Sequence, residues 1–402
     1  PRNVWAVSLT SFFMDISSEM VINILPLFLS NVLGVKTNII GVIEGVAEAT
    51  ASLLKVFSGW LSDKLGGRKW LAVAGYAIST LSKPFFYIAN SWGMIAGVRW
   101  ADRVGKGVRT APRDALVADS IKPEQRGIAF GFHRAADTGG AVLGILIAAL
   151  AVWLAQSNDL QLGENTFRTV VLISLIPAVL AVLSLAIIAR DTGRKGASSK
   201  PKITFKGLGK PFLVFLLIVG VFDLGNSSDA FLVLRAQERG MSVLGILLML
   251  AAFNLVYTLV SAPAGSLSDR IGRRKVIIGG WLVYGAIYLG FALAQRPWHI
   301  WALYITYGLY YGMAYGTAKA MVADLVAPEL RGTAYGTYNA VLGIIDFPAS
   351  LLAGLLWQGA GGWAGFGPAA PFLFGGGLAF LAAVMLLFWK PSEIGEGDNG
   401  AE

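Results

Sequence analysis

The amino-acid sequence predicts an all-α polytopic membrane protein with twelve transmembrane helices in two pseudo-symmetric six-helix halves. Three observations predict this fold class. Hydrophobic residues make up 55% of the 402 residues and charged residues only 14%, where about 25% is usual in soluble domains. The apolar residues form long runs such as 169–189 and 372–389, which approach the length of a membrane span. Two motifs also recur in the second half of the chain.

Twelve segments are long enough to cross about 30 Å of hydrocarbon, which takes about 20 helical residues. The first of them is longer than the apolar core of a cleavable signal peptide, and no small-residue cleavage site follows closely, so we expect it to remain in the protein. The predicted spans are 4–33, 37–62, 70–90, 92–119, 127–155, 168–190, 212–234, 242–266, 275–294, 298–323, 332–358 and 369–390.

Basic residues in the loops predict the orientation of the helices. The loops after even-numbered spans are rich in Lys and Arg, whereas the other loops carry few, and basic loops stay in the cytoplasm. The basic connection 191–211 also contains Gly and Ser and is predicted to be a flexible cytoplasmic linker. It separates an N-terminal half, 1–190, from a C-terminal half, 212–402. Both termini are then cytoplasmic, and the chain is a multi-pass protein of the cell (inner) membrane.

Composition argues against several other classes of protein. The chain has no cysteine, so disulfides, thiolate metal sites and a catalytic Cys are excluded. Its net charge of +9 is explained by the basic loops of a membrane protein, so nucleic acid is not an expected partner. The sequence has no G-x-x-x-x-G-K-[ST] motif, which argues against an ATP-driven pump.

An internal repeat supports the division into two halves. The segment GWLSDKLGGRK at 59–69 recurs as GSLSDRIGRRK at 265–275, an offset of 206, and PEQRG at 123–127 recurs as PELRG at 328–332, an offset of 205. Each motif lies between corresponding spans. The halves are therefore predicted to be parallel repeats related by an axis along the membrane normal.

With these motifs the sequence resembles the major facilitator superfamily, whose signature G-x-L-x-D-[RK]-x-G-[RKG]-[RK]-[RK] follows the second span and often the eighth. The resemblance covers essentially the whole chain. It implies a cytoplasmic latch in which the signature's Asp lies near a helix N-terminus across the interface between the halves and its Arg pairs with an acid at the cytoplasmic end of the fourth or tenth span, stabilising an outward-open state. The alternative is that these charges serve only topology. The latch residues would be Asp63, Arg68, Asp119, Asp269, Arg274 and Asp324.

Two segments depart from the pattern of the superfamily's drug–proton antiporters. Those proteins usually carry R-x-x-x-G-x-G in the fourth span and G-P-x-x-G-G in the fifth. Here the fourth span has only a partial match, and the fifth has Ala-Ala at 135–136 where Gly-Pro would stand. The resemblance therefore points less to a drug pump than to another kind of transporter.

Several carboxylates lie inside predicted spans, where ionisable residues are costly and are candidates for function. Asp15 and Glu19 share one face of the first span, and Asp223 and Asp229 lie in its repeat partner, the seventh. Paired carboxylates in a partly dry cavity favour proton exchange near neutral pH. These four and Asp137 are the predicted proton-coupling residues. The alternative is that they are permanently ionised partners of nearby basic residues.

The fourth span carries a stripe of charge at positions i, i+4, i+7 and i+11, beginning at Asp102. No lipid-facing surface tolerates such a stripe, and the resemblance implies that spans 1, 4, 7 and 10 line a central cavity. Basic side chains there suit a carboxylate or phosphate. The alternative is that the arginines neutralise Asp15, Asp114 and Asp137. The predicted anion-binding residues are Arg103, Lys106, Arg109, Arg113, His133, Arg134 and Lys319.

Two further features are open to more than one interpretation. Glu44 and Glu48 share a face of the second span, where they are either an external proton entry or partners of Lys83. Asp346 precedes Pro348 in the eleventh span, and a Pro kink can expose backbone carbonyls to a cavity. Asp346 is either part of such an exposed site or a hydrogen-bond acceptor at a gate.

Taken together, the residues and the resemblance predict a monomeric secondary transporter rather than an enzyme. We expect it to use no cofactor or bound metal, and to export a small polar, anionic organic solute, coupled to protons, through alternating access in the lipid bilayer. The alternatives are a polyspecific drug–proton antiporter, a non-transporting receptor, and a divalent-metal transporter. The last would use Asp15, Asp223, Asp229 and His133 as ligands.

Overall fold

The structure, a computed structural model, describes residues 1–65, 67–122, 125–191, 205–327 and 330–389. The side chains of Asp63 and Arg126 lie outside this description, as does most of the predicted linker. The described residues form helices and connecting loops, with one isolated β-bridge between Ala360 and Trp363. The predicted all-helical membrane fold is confirmed.

Helices follow one another in the positions of the twelve predicted spans. Four spans are built from more than one helical segment, including π-helical turns in the first and tenth. Numbered in chain order, the spans are Arg2–Ile22 with Leu25–Leu27 and Phe28–Val32, Thr37–Leu65, Arg68–Ser82 with Pro84–Ile88, Trp92–Asp119, Arg126–Gln156, Glu164–Ile188, Gly209–Leu224 with Ala230–Glu238, Val243–Ile271, Arg273–Leu293, Pro297–Tyr310 with Tyr311–Tyr315 and Gly316–Asp324, Arg331–Gln358, and Ala370–Phe388.

Seven of these helices, in the described part of the chain, are apolar and long enough to cross a membrane by composition alone. They belong to spans 1, 5, 6, 8, 9, 11 and 12. The other five are either interrupted, as in spans 3, 7 and 10, or carry buried charges, as in spans 2 and 4. Broken helices and intramembrane charges are tolerated where they face protein or a cavity rather than lipid. Of these five spans, 2, 4, 7 and 10 contribute to the cavity described below.

Spans 2 and 11 pack closely against each other across the boundary between the halves. A Cβ added at Gly45 would lie 3.0 Å from the Cα of Phe347, and one at Gly354 would lie 2.6 Å from the Cα of Asn38. Only glycine permits such an approach of two helix backbones. This contact is therefore a seam along which the halves meet.

Most of the hydrogen bonds between described residues of the two halves lie at one end of the bundle. The side-chain amides of Asn31 and Gln237 exchange two hydrogen bonds of 2.7 and 2.9 Å. The Thr37 hydroxyl donates to Gln358 Oε1 at 3.0 Å, and the Asn38 amide donates to the Gly359 carbonyl at 2.8 Å. We call this the clamped end. The signature loops that precede the third and ninth spans lie at the other end, which we call the motif end.

Candidate functional site

A cavity of about 580 Å³ lies between the halves, within the range of small-molecule sites. Its wall is formed by spans 1, 2, 4 and 5 from the first half and by spans 7, 8, 10 and 11 from the second. Spans 3, 6, 9 and 12 take no part in the described wall. The contributing helices correspond pairwise in the repeat, so the cavity lies on the pseudo-symmetry axis.

Basic and aromatic side chains line opposite sides of the cavity. In the described residues, every basic side chain in the wall comes from the N-terminal half, and every aromatic side chain comes from the C-terminal half. The basic residues are Lys55, Arg99, Arg103, Lys106 and Arg134. The aromatic residues are Phe253, Tyr257, Tyr304, Tyr311 and Tyr315. We call these the basic wall and the aromatic wall.

Part of the basic wall is an ion-pair network. Arg99, which is 1% exposed, donates to the two carboxylate oxygens of Glu44 at 2.6 and 3.1 Å. Its Nη2 also lies 3.3 Å from Oε1 of Glu48, and the same oxygen lies 3.3 Å from Nε of Arg103. Bidentate, buried pairs of this kind are costly to break from one side only. Arg99 and Glu44 are therefore a structural part of the wall.

The interpretation of Glu44 and Glu48 as partners of Lys83 is wrong. Lys83 lies 2% exposed at the interruption of the third span and donates to the hydroxyls of Ser17 and Ser18 at 2.5 and 3.2 Å. The glutamates are held instead by the arginines of the fourth span, which contribute a stronger bidentate geometry.

Two lysines of the basic wall remain available to a solute. No described Asp or Glu lies within ion-pair distance of Lys55 or Lys106. Arg134, also in the wall, donates to the hydroxyl of Tyr257 at 2.8 Å, and this bond joins the two halves across the cavity. Of the seven predicted anion-binding residues, Arg103, Lys106 and Arg134 line the cavity.

Arg109 and Arg113 lie away from the cavity, contrary to the predicted stripe. A Cβ added at Gly75 would lie 2.7 Å from the Cβ of Arg109, so Arg109 faces the third span, where it bonds to the Ser79 hydroxyl at 2.5 Å. Arg113, about 10 Å further along the helix than Lys106, pairs with Asp114 at 2.9 Å. The alternative of mutual neutralisation fits Arg113.

His133 and Lys319 also lie outside the described wall of the cavity. His133 is 4% exposed, and its Nε2 lies 3.8 Å from the Asp137 carboxylate. Lys319 donates to the hydroxyl of Tyr315 at 3.2 Å and lies 4.4 Å from the centre of that ring. The aromatic neighbour, one helical turn earlier, holds the ammonium on its own span.

The predicted proton-coupling residues are divided between the cavity and its surroundings. Glu19 and Asp229 line the cavity, whereas Asp15, Asp137 and Asp223 do not. Glu19 accepts a hydrogen bond of 2.9 Å from Asn23. Asp223 is 9% exposed, and its Oδ2 atom is buried without a described hydrogen-bond partner.

No described group of three or more His, Asp or Glu side chains could hold a metal ion. Asp15, Asp223, Asp229 and His133 therefore do not converge on one ligand set, as the divalent-metal alternative requires. Their separation follows from their elements, because His133 faces Asp137 within the fifth span whereas Asp229 lies in the wall formed by the seventh.

At the motif end, Arg68 lies 3.0 Å from the Asp119 carboxylate, so these two predicted latch residues are neighbours. The backbone N–H of Arg68, at the start of the third span, also donates to Asp191 at 3.1 Å. A carboxylate at a helix N-terminus is stabilised by the helix dipole. Asp191 was not predicted from the sequence, whereas Asp63, predicted for a similar position, has a side chain outside the described residues.

In the second half the predicted pairing of Arg274 with Asp324 is wrong. Arg273 donates to Asp324 and lies 3.5 Å from Asp269. Arg274 donates instead to the backbone carbonyls of Leu386 and Leu387 in the twelfth span. The reason is register: helices begin at Arg68 and Arg273, 205 residues apart, whereas the signature aligns Arg68 with Arg274, 206 residues apart.

Comparisons with known proteins agree with the fold. Residues 7–232 and 213–402 each match the model of the Major Facilitator Superfamily. An uncharacterised MFS-type transporter of Methanocaldococcus jannaschii is 36% identical over 96% of this chain and 94% of its own length. A multi-drug resistance efflux pump PmrA homolog of Lactococcus lactis is 23% identical over 88% of this chain and 89% of its own. The solved nucleoside transporter NupG has a TM-score of 0.77 at 14% identity, over 96% of this chain and 99% of its own.

Proposed function

The chain belongs to the major facilitator superfamily of secondary transporters, and on that premise we propose that it exports a small polar organic solute bearing an anionic group, coupled to protons. The observation that carries the proposal is the basic wall. Lys55 and Lys106 present ammonium groups to the cavity without a described acidic partner in ion-pair distance. An anionic group of the solute would supply the missing partner.

Proton coupling is supported by the contrast between paired and unpaired carboxylates. Glu44 and Glu48 are held by arginines. Asp223 has a buried oxygen with no described hydrogen-bond partner. Burying a charged carboxylate without a partner is costly. Asp223 is therefore the group best suited to carry a proton during the transport cycle.

Outward transport is supported by the likeness to a Lactococcus efflux pump and by the clamped end. If the basic loops are cytoplasmic, the halves are held together on the external side by the Asn31–Gln237 and Thr37–Gln358 bonds. Such an arrangement would receive solute from the cytoplasm. Alternating access then requires those bonds to break while the motif end closes.

Polyspecific drug efflux is a second candidate. The aromatic wall favours it, because stacked and edge-on rings offer apolar contact to solutes of many shapes. Phe253, for example, lies 5.2 and 5.4 Å from the rings of Tyr304 and Tyr311. The two candidates differ in whether an anionic group on the solute is necessary for transport.

Reconstituted vesicles test the proposal. Detergent-purified protein is first screened by thermal stabilisation against organic anions, cations and neutral analogues, and stabilising compounds are then measured as radiolabelled uptake into proteoliposomes with and without a pH gradient. We expect gradient-dependent transport of an anionic compound that is lost in Lys106→Ala and retained in Lys319→Ala, a matched change outside the described cavity wall. Gradient-dependent transport of cations and neutral compounds alone, insensitive to Lys106, would instead favour drug efflux.

A further inference from the structure

We propose that Asp229 and the aromatic wall form a binding subsite for an organic ammonium group, so that the solute is a zwitterion. This inference rests on the proposed function, which places the anionic end of the solute against Lys106. The inference adds a cationic end to the solute, which a carboxylate and aromatic rings bind on the opposite side of the cavity.

The position of Asp229 leaves its carboxylate free for a ligand. It lies at the interruption of the seventh span, directly before the helix Ala230–Glu238, yet its side chain makes no capping hydrogen bond to that helix. The hydroxyls of Tyr307, at 3.4 Å from Oδ1, and Tyr311 lie within hydrogen-bond reach of the carboxylate, and no described Lys or Arg lies within ion-pair distance. The carboxylate therefore faces the cavity without a cationic partner.

Aromatic rings surround this part of the cavity on two spans. Phe253 of the eighth span lies 5.2 Å from Tyr304, 5.7 Å from Tyr307 and 5.4 Å from Tyr311 of the tenth. The π-helical turn that begins at Tyr311 shifts the register there, and such turns often occur at functional sites. Ring faces attract desolvated ammonium groups, quaternary ones in particular.

The distribution of charge over the cavity wall indicates that the solute carries charges of both signs. Within the described wall, the C-terminal half contributes Asp229 and Asp346 and no basic residue, whereas the N-terminal half contributes all the basic residues together with Glu19, Glu44 and Glu48. Arg99 and Arg103 hold Glu44 and Glu48, so the remaining basic residues leave the N-terminal side net positive and the cavity is dipolar. A solute with a single charge would satisfy one wall and leave the other unpaired, but a compact zwitterion satisfies both.

Calorimetric titration of the purified full-length protein with choline tests the subsite, because choline keeps its charge at every pH. Its carbon isostere 3,3-dimethylbutan-1-ol is the neutral control. We expect choline to bind at least about tenfold more tightly than the isostere, and Asp229→Asn to remove that difference. Equal binding of the two compounds, or choline binding that Asp229→Asn leaves unchanged, would overturn the subsite.

Paired variants separate the ring from the fold. Tyr311→Phe keeps the π face and loses only the hydroxyl near Asp229, so it is expected to keep most of the affinity for choline, whereas Tyr311→Leu is expected to weaken binding several-fold. Asp269→Asn, which removes a carboxylate at the motif end, is the control for net charge and is expected to have no effect. Equal losses in Tyr311→Phe and Tyr311→Leu would contradict a role for the ring face.

The zwitterion is tested with γ-butyrobetaine, which joins a trimethylammonium group to a carboxylate. We expect it to bind at least about tenfold more tightly than choline, and Lys106→Ala to abolish this advantage while choline binding persists. An advantage that survives Lys106→Ala would overturn the dipolar arrangement. Because these are binding measurements, they are independent of proteoliposome transport: loss of transport alone refutes the proposed function, and loss of Asp229-dependent choline binding alone refutes the subsite.

Discussion

A shift of one residue determines which arginine contacts Asp324 at the motif end of the second half. Arg68 and Arg273 each begin a helix and each contact the acid 51 residues later, Asp119 and Asp324. Neighbouring helix positions point about 100° apart, so Arg274 reaches the twelfth span instead. The signature predicted the kind of contact correctly, but its alignment of the two halves could not predict where the helix starts.

The arginine contacts lead to the first prediction. If the Arg273–Asp324 contact between the ninth and tenth spans supports closure of the motif end, Arg273→Ala should lower the population of states in which that end is closed. Arg274→Ala removes bonds to the twelfth span instead and leaves the contact with Asp324 in place. Because Arg273 is partly exposed, the expected effect is modest, about 0.2–1 kcal/mol. Distance measurements between spin labels on the two halves would show it, and an unchanged distance distribution in Arg273→Ala would exclude the latch.

The second prediction concerns Lys106 and Lys319, both of which were predicted from the sequence to bind the anion. Lys106→Ala should weaken binding of an anionic solute by about 1.5–3 kcal/mol, the value of a hydrogen bond to a charged group. Lys319→Ala should leave it almost unchanged, because Lys319 is held by Tyr315 outside the described cavity wall. Titration calorimetry with the best anion from the stability screen distinguishes them. A larger loss in Lys319→Ala would place the site elsewhere.

At the scale of elements, the twelve predicted segments coincide with helices, although only seven of the described helices are long and apolar enough to be identified by composition alone. The apolar runs could not predict the interruptions at Gly225–Asp229 or the π-helical turn Tyr311–Tyr315. The tenth span carries tyrosines at 304, 311 and 315, at i, i+7 and i+11, and this spacing was the available signal for the aromatic wall. The prediction that Arg109 lines the cavity was wrong, because its side of the helix packs against Gly75 of the third span.

The seam between spans 2 and 11 gives the third prediction. A methyl group at Gly354 would meet the backbone of Asn38 at 2.6 Å, and overpacking of this kind costs about 1–3 kcal/mol. Gly354→Ala should therefore disfavour the state in which the clamped end is closed. Gly336→Ala in the same span is the control, because its Cβ would meet nothing within 4 Å. Distances between labels at Lys36 and Gly362, which are exposed beside the Thr37–Gln358 bond, should lengthen in the first variant and not in the second.

At the scale of the whole molecule, the absence of cysteine makes orientation directly measurable. The basic loops predict a cytoplasmic motif end. Leu65→Cys at that end should then resist a membrane-impermeant maleimide in intact cells, whereas Asn158→Cys, exposed near the clamped end, should react. The reverse pattern would invert the topology, and with it the proposal that solute enters from the cytoplasm.

The last prediction concerns proton coupling, which involves the whole transport cycle. It distinguishes Glu44, which stabilises the fold, from Asp223, which we propose to carry the proton. Glu44→Gln should lower thermal stability, since it removes the bidentate partner of the buried Arg99 and leaves only the longer contacts with Glu48 and Asp102 at 3.3 and 3.7 Å. Asp223→Asn removes a carboxylate with no described ion-pair partner, so stability should be kept or increased. In proteoliposomes Asp223→Asn should abolish accumulation driven by a pH gradient while solute exchange across the membrane persists, because exchange needs the cavity but no titrating group. Full gradient-driven accumulation in Asp223→Asn would move the coupling role to Asp15, Glu19 or Asp137.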